Sequence, residues 1–388
     1  MKYYIIAGEA SGDLHGSNLI KGLVQADPEA EIRFWGGDKM IAAAVKRGTL
    51  VRHYKEASIM GFWEVVKNLR RIGRQMRFCR EDIASYHPDV LILIDYPGFN
   101  LRMARFVRTH RWPNGTVRPK VFYYIAPKVW AWKEKRVVKL REYVDKLFII
   151  FPFEIEYFRK HDIEAFYAGN PIMDSVAERP TVTRESAAAF RKANGLDERP
   201  IISLVAGSRN SEIRYNLPGM VAVSRLFPEY QFVVTGVSWL DRALYDKYLN
   251  GSDVRFVCDK TYETIAQSAA ALVTSGTATL ETALLNVPEL VCFRSSAISI
   301  WVARRLVKLR FISLVNLIMN REVVRELIQE DFTPEIAAKE LRAVLPAGTK
   351  HERIIQDFKE LNTAMGSPGA SERVALEMVR LLNVNHSE

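Results

Sequence analysis

Short apolar runs alternate with longer amphipathic segments along most of this chain, and the alternation occurs twice with one break. Residues 3–7, 32–35, 90–94, 121–125 and 147–150 are apolar runs that predict strands, and residues 14–25, 63–85, 100–110 and 130–143 predict helices between them. Strands apolar on both faces and separated by helices belong to a parallel sheet covered on both sides. The pattern breaks around residues 169–180, where Pro171 and Pro180 stand close together. It resumes with strands predicted at 201–205, 231–235, 254–257, 270–273 and 290–293, and from Thr333 onward only helices are expected. The expectation is an α/β chain with two tandem, doubly wound, Rossmann-like domains, which 388 residues accommodate. Such domains take ligands at the carboxyl ends of their strands, and two in tandem form an interdomain cleft.

Two turns in the second half carry the clearest chemistry. They are Ser203-Leu-Val-Ala-Gly-Ser-Arg-Asn-Ser-Glu-Ile213 and Thr274-Ser-Gly-Thr-Ala-Thr-Leu-Glu-Thr-Ala-Leu284. Each leaves a strand, turns through a Gly and enters a helical segment. The first amides of a helix lack intrahelical acceptors, and its dipole favours negative charge there. The first turn adds Arg209, whose planar fork suits phosphate. The second adds Glu281, whose carboxylate suits a sugar diol. Together they point to a nucleotide-sugar diphosphate.

Three widely spaced cysteines, Cys79, Cys258 and Cys292, form neither a disulfide framework nor a zinc motif, and a reducing compartment suits them. No targeting segment is recognisable at the start, and no run of about 18 apolar residues spans a bilayer. The formal net charge of +10 suits an anionic partner without choosing among nucleic acid, phosphorylated substrate and lipid surface.

Gly8-Glu-Ala-Ser-Gly-Asp13 follows the first strand. Its glycines permit a tight turn and close approach of a ligand. It reads equally as a plain strand-to-helix turn capped by Ser11 or Asp13. Ile94-Asp-Tyr-Pro-Gly-Phe-Asn100 puts Asp95 at a strand's carboxyl end, where a carboxylate can take a proton from a sugar hydroxyl. Capping the next helix is its other use, for which Asn100 competes. In Ala126-Pro-Lys-Val-Trp-Ala-Trp-Lys133, Trp130 and Trp132 fall on different helix faces, so one is expected at the ligand or an acyl chain and the other on the sheet. Gly-x-Gly-x-x-Gly, a Walker loop, Asp-x-Asp, Gly-x-Ser-x-Gly and paired histidines are all missing. This counts against dinucleotide, ATP, metal-dependent transfer and hydrolase chemistries.

Two stretches have the pattern of a membrane-surface helix. Lys67, Arg70, Arg71, Arg74 and Arg77 form a stripe beside Phe62, Val66, Leu69, Ile72 and Met76, and Arg304, Arg305, Lys308 and Arg310 interleave with apolar residues between 298 and 319. A basic amphipathic helix lies in a headgroup layer or packs its apolar stripe on the core.

These motifs, with Phe151-Pro-Phe-Glu154, Glu212, Asn316 and Arg321-Glu-Val-Val324, resemble in order and spacing the lipid-A-disaccharide synthase family over nearly the whole chain. The resemblance implies a GT-B-like fold: an acceptor and membrane-facing domain over residues 1–172, a UDP-sugar domain over 173–360, and a helix over 361–388 packing on a first domain, its own or a partner's. It implies transfer of 2,3-diacylglucosamine from UDP to 2,3-diacylglucosamine 1-phosphate with inversion, without metal or cofactor, at the inner face of the cytoplasmic membrane. Asp95 or Glu9 would be the base. Gly8, Ser11, Asn100, Trp130, Gly207, Ser208, Arg209, Glu212, Ser275, Gly276, Thr277, Glu281 and Asn316 would bind substrate. Ala206, Asn170, Lys128 and Val315 depart from the family pattern, and Asn170 cannot act as an ionisable acid or base.

Rival readings are another UDP-sugar enzyme of the same fold, such as an epimerase or a transferase with a soluble acceptor, a nucleic-acid-binding protein, and a lipid-binding scaffold. No nucleic-acid module is recognisable, and a scaffold gives no reason for Asp95, Arg209 and Glu281 to occur together. A homodimer through the tail is left open.

Overall fold

The computed structural model of the chain describes residues 1–57, 69–131, 134–179, 181–296, 300 and 310–384. The chain divides into two compact units, one made of residues 1–174 with the segment from Ser367 on, the other of residues 175–366.

The first unit holds a sheet of seven strands: β1 (Lys2–Ala7), β2 (Glu31–Gly36), β3 (Gly48–His53), β4 (Val90–Ile94), β5 (Lys120–Tyr124), β6 (Lys146–Ile149) and β7 (Ala165–Tyr167). They lie in the order β3-β2-β1-β4-β5-β6-β7, every pair parallel. The central strands β1 and β4 are almost entirely buried, as their unbroken apolar sequences require. The second unit holds β8 (Ile201–Val205), β9 (Gln231–Gly236), β10 (Arg255–Cys258), β11 (Ser268–Thr274), β12 (Glu289–Phe293) and β13 (Arg325–Ile328), all parallel in the order β10-β9-β8-β11-β12-β13. Both sheets are doubly wound. In each, the strand order reverses next to the first strand, between β1 and β4 and between β8 and β11.

Three strands were absent from the sequence reading. β3 and β13 are edge strands and only partly buried, and β7 has three residues. Helices also differ at their starts. The first begins at Ala10 and another at Pro97, earlier than expected, because the Gly-containing motifs themselves form their first turns. The helix expected from residue 130 begins only at Arg136. Before it the backbone makes tight turns, with Val129 N donating to Pro127 O at 2.6 Å and Ala131 N to Lys128 O at 3.1 Å. Trp130 therefore stands in a turn rather than on a helix face, and Trp132 lies outside the described residues.

The last helix, Ala370–Val384, packs on the helix Ala10–Ala26 of the same chain. A Cβ on Gly22 would stand 2.8 Å from that of Ala375, so glycine sets the close approach. Asp174 accepts from the amides of Gly369, Ala370 and Ser371 at 2.6, 3.1 and 3.2 Å. Arg373 donates to the carbonyls of Ala168, Ser367 and Pro368.

Candidate active site

Ligands of doubly wound sheets bind where the strand order reverses. In the first unit that point brings Gly8 and Glu9, after β1, beside Asp95, after β4, since Ala7 and Ile94 are register partners. Asp95 and Tyr96 both adopt left-handed backbone, φ 43° and 46°. Such a residue costs about 1–3 kcal/mol, and something must hold it. Here it is Asn100, fully buried, whose Nδ2 donates to Ile94 O at 3.1 Å and Asp95 O at 2.7 Å. Tyr123 OH donates to the same Asp95 carbonyl at 2.6 Å. Asn100, expected at the substrate, thus holds the turn that carries Asp95. The Tyr96 ring lies over Gly8, where any Cβ would overlap it.

The two candidate bases are not equivalent. Glu9 is exposed and sits at the helix N-cap without making a side-chain cap bond. Asp95 is half-buried, and its carboxyl is raised above the ordinary carboxylate range, first by desolvation and then by the charge of Glu9, against the pull of Lys128 and the Tyr96 amide. A raised carboxylate is the better proton acceptor. Ser11 is exposed on the same turn. Asp13 is buried and caps a different helix, accepting from Gly37, Lys39 and Met40 amides at 2.7, 3.1 and 3.1 Å, so neither of the expected residues caps the first helix.

Trp130 donates its indole N–H to Glu154 Oε1 at 2.9 Å and meets Phe153 edge-on at 5.0 Å. Glu154 is buried and also accepts from the amides of Ile150 and Phe151 at 3.2 and 3.1 Å, yet desolvation raises its pKa to about 7. Sequence reasoning had no way to see this carboxyl as the anchor of Trp130. Asn170 is likewise buried, donating to Ile150 O and accepting from Ile172 N, both at 2.9 Å; its work is to hold the turn.

The second unit's reversal point joins the other two turns, since Val205 and Val273 are register partners. They are wired differently. After β8, Glu212 accepts from the amides of Ser208 and Arg209 at 2.8 and 3.2 Å and from the Arg209 guanidinium at 3.1 Å. That carboxylate already satisfies the amides expected to meet phosphate, and Gly207, φ 112°, makes room for it. The Arg209 side chain is 69% exposed, so its fork can reach outward. After β11, the helix Thr277–Leu284 starts at Gly276 with no side-chain cap, leaving its first amides open. Ser275 Oγ donates to Ile312 O at 2.9 Å. Glu281 accepts from Tyr262 OH at 2.7 Å, and its pKa is raised by desolvation. The Arg179 guanidinium lies 3.7 Å above the Tyr262 ring. Tyr262 and Arg179 gave no motif in the sequence.

Asn316, expected at the donor, is fully buried with every amide bond made. It donates to Val324 O and Glu326 Oε1 at 2.8 and 2.9 Å and accepts from Val323 and Val324 amides at 2.7 and 3.0 Å. It knots the loop that Ser275 touches.

Of the two basic stretches, residues 58–68 and 301–309 lie outside the described residues. The described part of the first, helix Leu69–Tyr86, exposes Arg70, Arg74 and Arg77 and packs Met76, Cys79 and Ile83 on its own unit's core. Among the described residues no helix is long and apolar enough to cross a membrane.

Residues 3–375 match the family model described as lipid-A-disaccharide synthetase. The lipid-A-disaccharide synthase of Myxococcus xanthus (strain DK1622) is 37% identical over 385 residues, covering 97% of each chain. Among solved structures, the UDP-GlcNAc 2-epimerase of Neisseria meningitidis bound to UDP-GlcNAc superposes with a TM-score of 0.64 at 11% identity over 98% of this chain and 100% of that one. The calicheamicin glycosyltransferase CalG4 does so with a TM-score of 0.59 at 13% identity, over 100% and 99%. At such identities these two structures speak for the GT-B fold alone, whereas the family match and its 37% identical relative span nearly the full length. The chain belongs to the lipid-A-disaccharide synthases, glycosyltransferases of lipid A biosynthesis.

Proposed function

We propose that this chain transfers 2,3-diacylglucosamine from UDP to 2,3-diacylglucosamine 1-phosphate by a single inverting displacement that needs no metal. The observation that carries the reading is the environment of Asp95: a half-buried carboxyl at a reversal point, on a strained turn, with its pKa raised. Asp95 takes the proton of the acceptor 6-hydroxyl as that oxygen bonds to the anomeric carbon. The bond from that carbon to the UDP oxygen breaks, and the electron pair leaves with UDP. The open amides at Gly276 and Thr277 and the exposed fork of Arg209 stabilise the departing charge, the role a metal fills elsewhere; preorganised donors contribute about 3 kcal/mol each. Glu281, oriented by Tyr262, holds the ribose diol. Glu9 raises the basicity of Asp95 and, with Ser11, orients the sugar. The first unit, residues 1–174 with the segment from Ser367 on, serves the acceptor, and residues 175–366 serve the donor. Within the first unit Gly8 and Trp130 shape the acceptor side, with Asn100 holding the loop behind; within the second Gly207, Ser208, Glu212 and Ser275 shape the donor side, with Asn316 holding the loop behind.

The net charge of +10 and the exposed arginines of helix Leu69–Tyr86 support peripheral binding to the anionic inner face of the cytoplasmic membrane. The test is UDP release from UDP-2,3-diacylglucosamine with and without acceptor, in mild detergent and excess EDTA. Acceptor-dependent release is expected, with Asp95→Asn slower by about 10²–10⁴-fold and UDP affinity unchanged. Near-normal turnover of Asp95→Asn rejects the base; turnover only with another UDP-sugar rejects the lipid substrates.

A further inference from the structure

Beside Asp95 stands a cation that the reaction above does not use. Lys128 follows β5, the strand hydrogen-bonded to β4, and the two loops are tied where Asp95 N donates to Tyr124 O at 3.3 Å. Its loop is stiff. Ile125 is left-handed at φ 60° with its amide on Phe148 O at 3.0 Å, and Ala126 and Val129 are buried on either side. Lys128 itself is exposed, and its ammonium lies 5.9 Å from the Phe151 ring centroid. No ion pair to Lys128 forms among the described residues; desolvation lowers its pKa from the ordinary lysine value, and the charges of Asp95 and Glu154 act the other way, holding the proton on. A fixed loop therefore presents an unpaired ammonium at the same end of the sheet as the proposed base, one strand away.

We propose that Lys128 binds the phosphate monoester of the acceptor. The inference rests on the function proposed above and deepens it. On a 1-phosphorylated hexosamine, the 6-hydroxyl and the phosphate leave the ring on either side of its oxygen. A sugar whose hydroxyl is at Asp95 therefore carries its phosphate only a short way off, and Lys128 is the cation presented by the adjoining loop. An ammonium is a compact point charge with three donors, suited to a phosphate that needs no planar fork. Reading that charge would also set the orientation of the acceptor, since the other end of the ring bears the acyl chains.

The test is steady-state kinetics of the full chain in mild detergent for wild type, Lys128→Arg, Lys128→Gln and Lys128→Glu, with binding of phosphate-free 2,3-diacylglucosamine measured in parallel. Expected is a rise in the KM for 2,3-diacylglucosamine 1-phosphate of about tenfold in K128Q and more in K128E, with K128R near wild type. The KM of the UDP-sugar and the affinity for the phosphate-free lipid should not move. An unchanged acceptor KM in K128Q and K128E overturns the proposal. So does an equal loss for the phosphate-free lipid, or a fall in kcat with a shifted pH profile and constant KM, which would mean that Lys128 acts through Asp95. Absence of wild-type turnover with the phosphorylated acceptor is a different failure, that of the function itself, and the inference falls with it.

Discussion

Glu154 shows how much one buried carboxyl can contribute without touching chemistry. It fixes Trp130 through its indole N–H and closes the turn at Ile150 and Phe151. Its pKa rises from the ordinary 4.5 to about 7 on folding. Between those values the unfolded chain releases a proton that the folded chain keeps, so rising pH favours unfolding across that window. The stability gap between Glu154→Gln and wild type should therefore shift in favour of the variant by up to about 3 kcal/mol between pH 4.5 and 7. Urea titrations of both proteins at several pH values measure it; a gap that does not change with pH would mean that the carboxyl is ionised in the fold. Polar residues also show what a sequence leaves open. Asn100 and Asn316 stand in motifs that look like ligand contacts, yet both are fully buried and tied to backbone. A sequence reveals that a polar residue lies near a turn but not which way its amide points.

At the scale of elements, the two Gly turns of the second unit look alike as sequences and differ as structures. One supplies its own anion, Glu212; the other leaves its amides open. The difference lies in one carboxylate at the third helical position of the first turn, a capping-box place. Gly207→Ala should unsettle that turn twice, since φ 112° disfavours a side chain and a Cβ would overlap Glu212. A loss of about 1–3 kcal/mol in urea unfolding, with weaker UDP binding, is expected; wild-type stability would show that the turn can relax freely. The central strands were legible because burial on both faces demands apolar runs such as Val90–Ile94. β13, Arg-Glu-Leu-Ile at a sheet edge, needs no such run and gave no signal.

For the whole molecule, the decisive element is the last helix. It buries Val374, Ala375, Met378 and Leu382 in the unit that the chain left at Asp174. Deleting everything after Gly366 should unfold the first unit while leaving the second able to bind UDP. Separate thermal transitions and UDP titration of the truncated chain check this; two intact transitions would show that the helix is dispensable. Asp174→Ala, which removes the acceptor of three amides, should cost about 1–2 kcal/mol. The helical character of the tail was plain from its periodicity. Its attachment site was not, because the glycine that admits it, Gly22, lies in the first helix, far away in sequence.

That return of the chain also fixes a timetable. A ribosome delivers residues 1–174, then the whole of 175–366, and only then the strip that covers Gly22. In order of synthesis the first unit waits for its covering helix until residues 175–366 have been made, so its helix groove stays bare while the second unit is assembled. The first unit is therefore the part of the newborn chain left open longest to aggregation and to proteases, although most of it is made before the second.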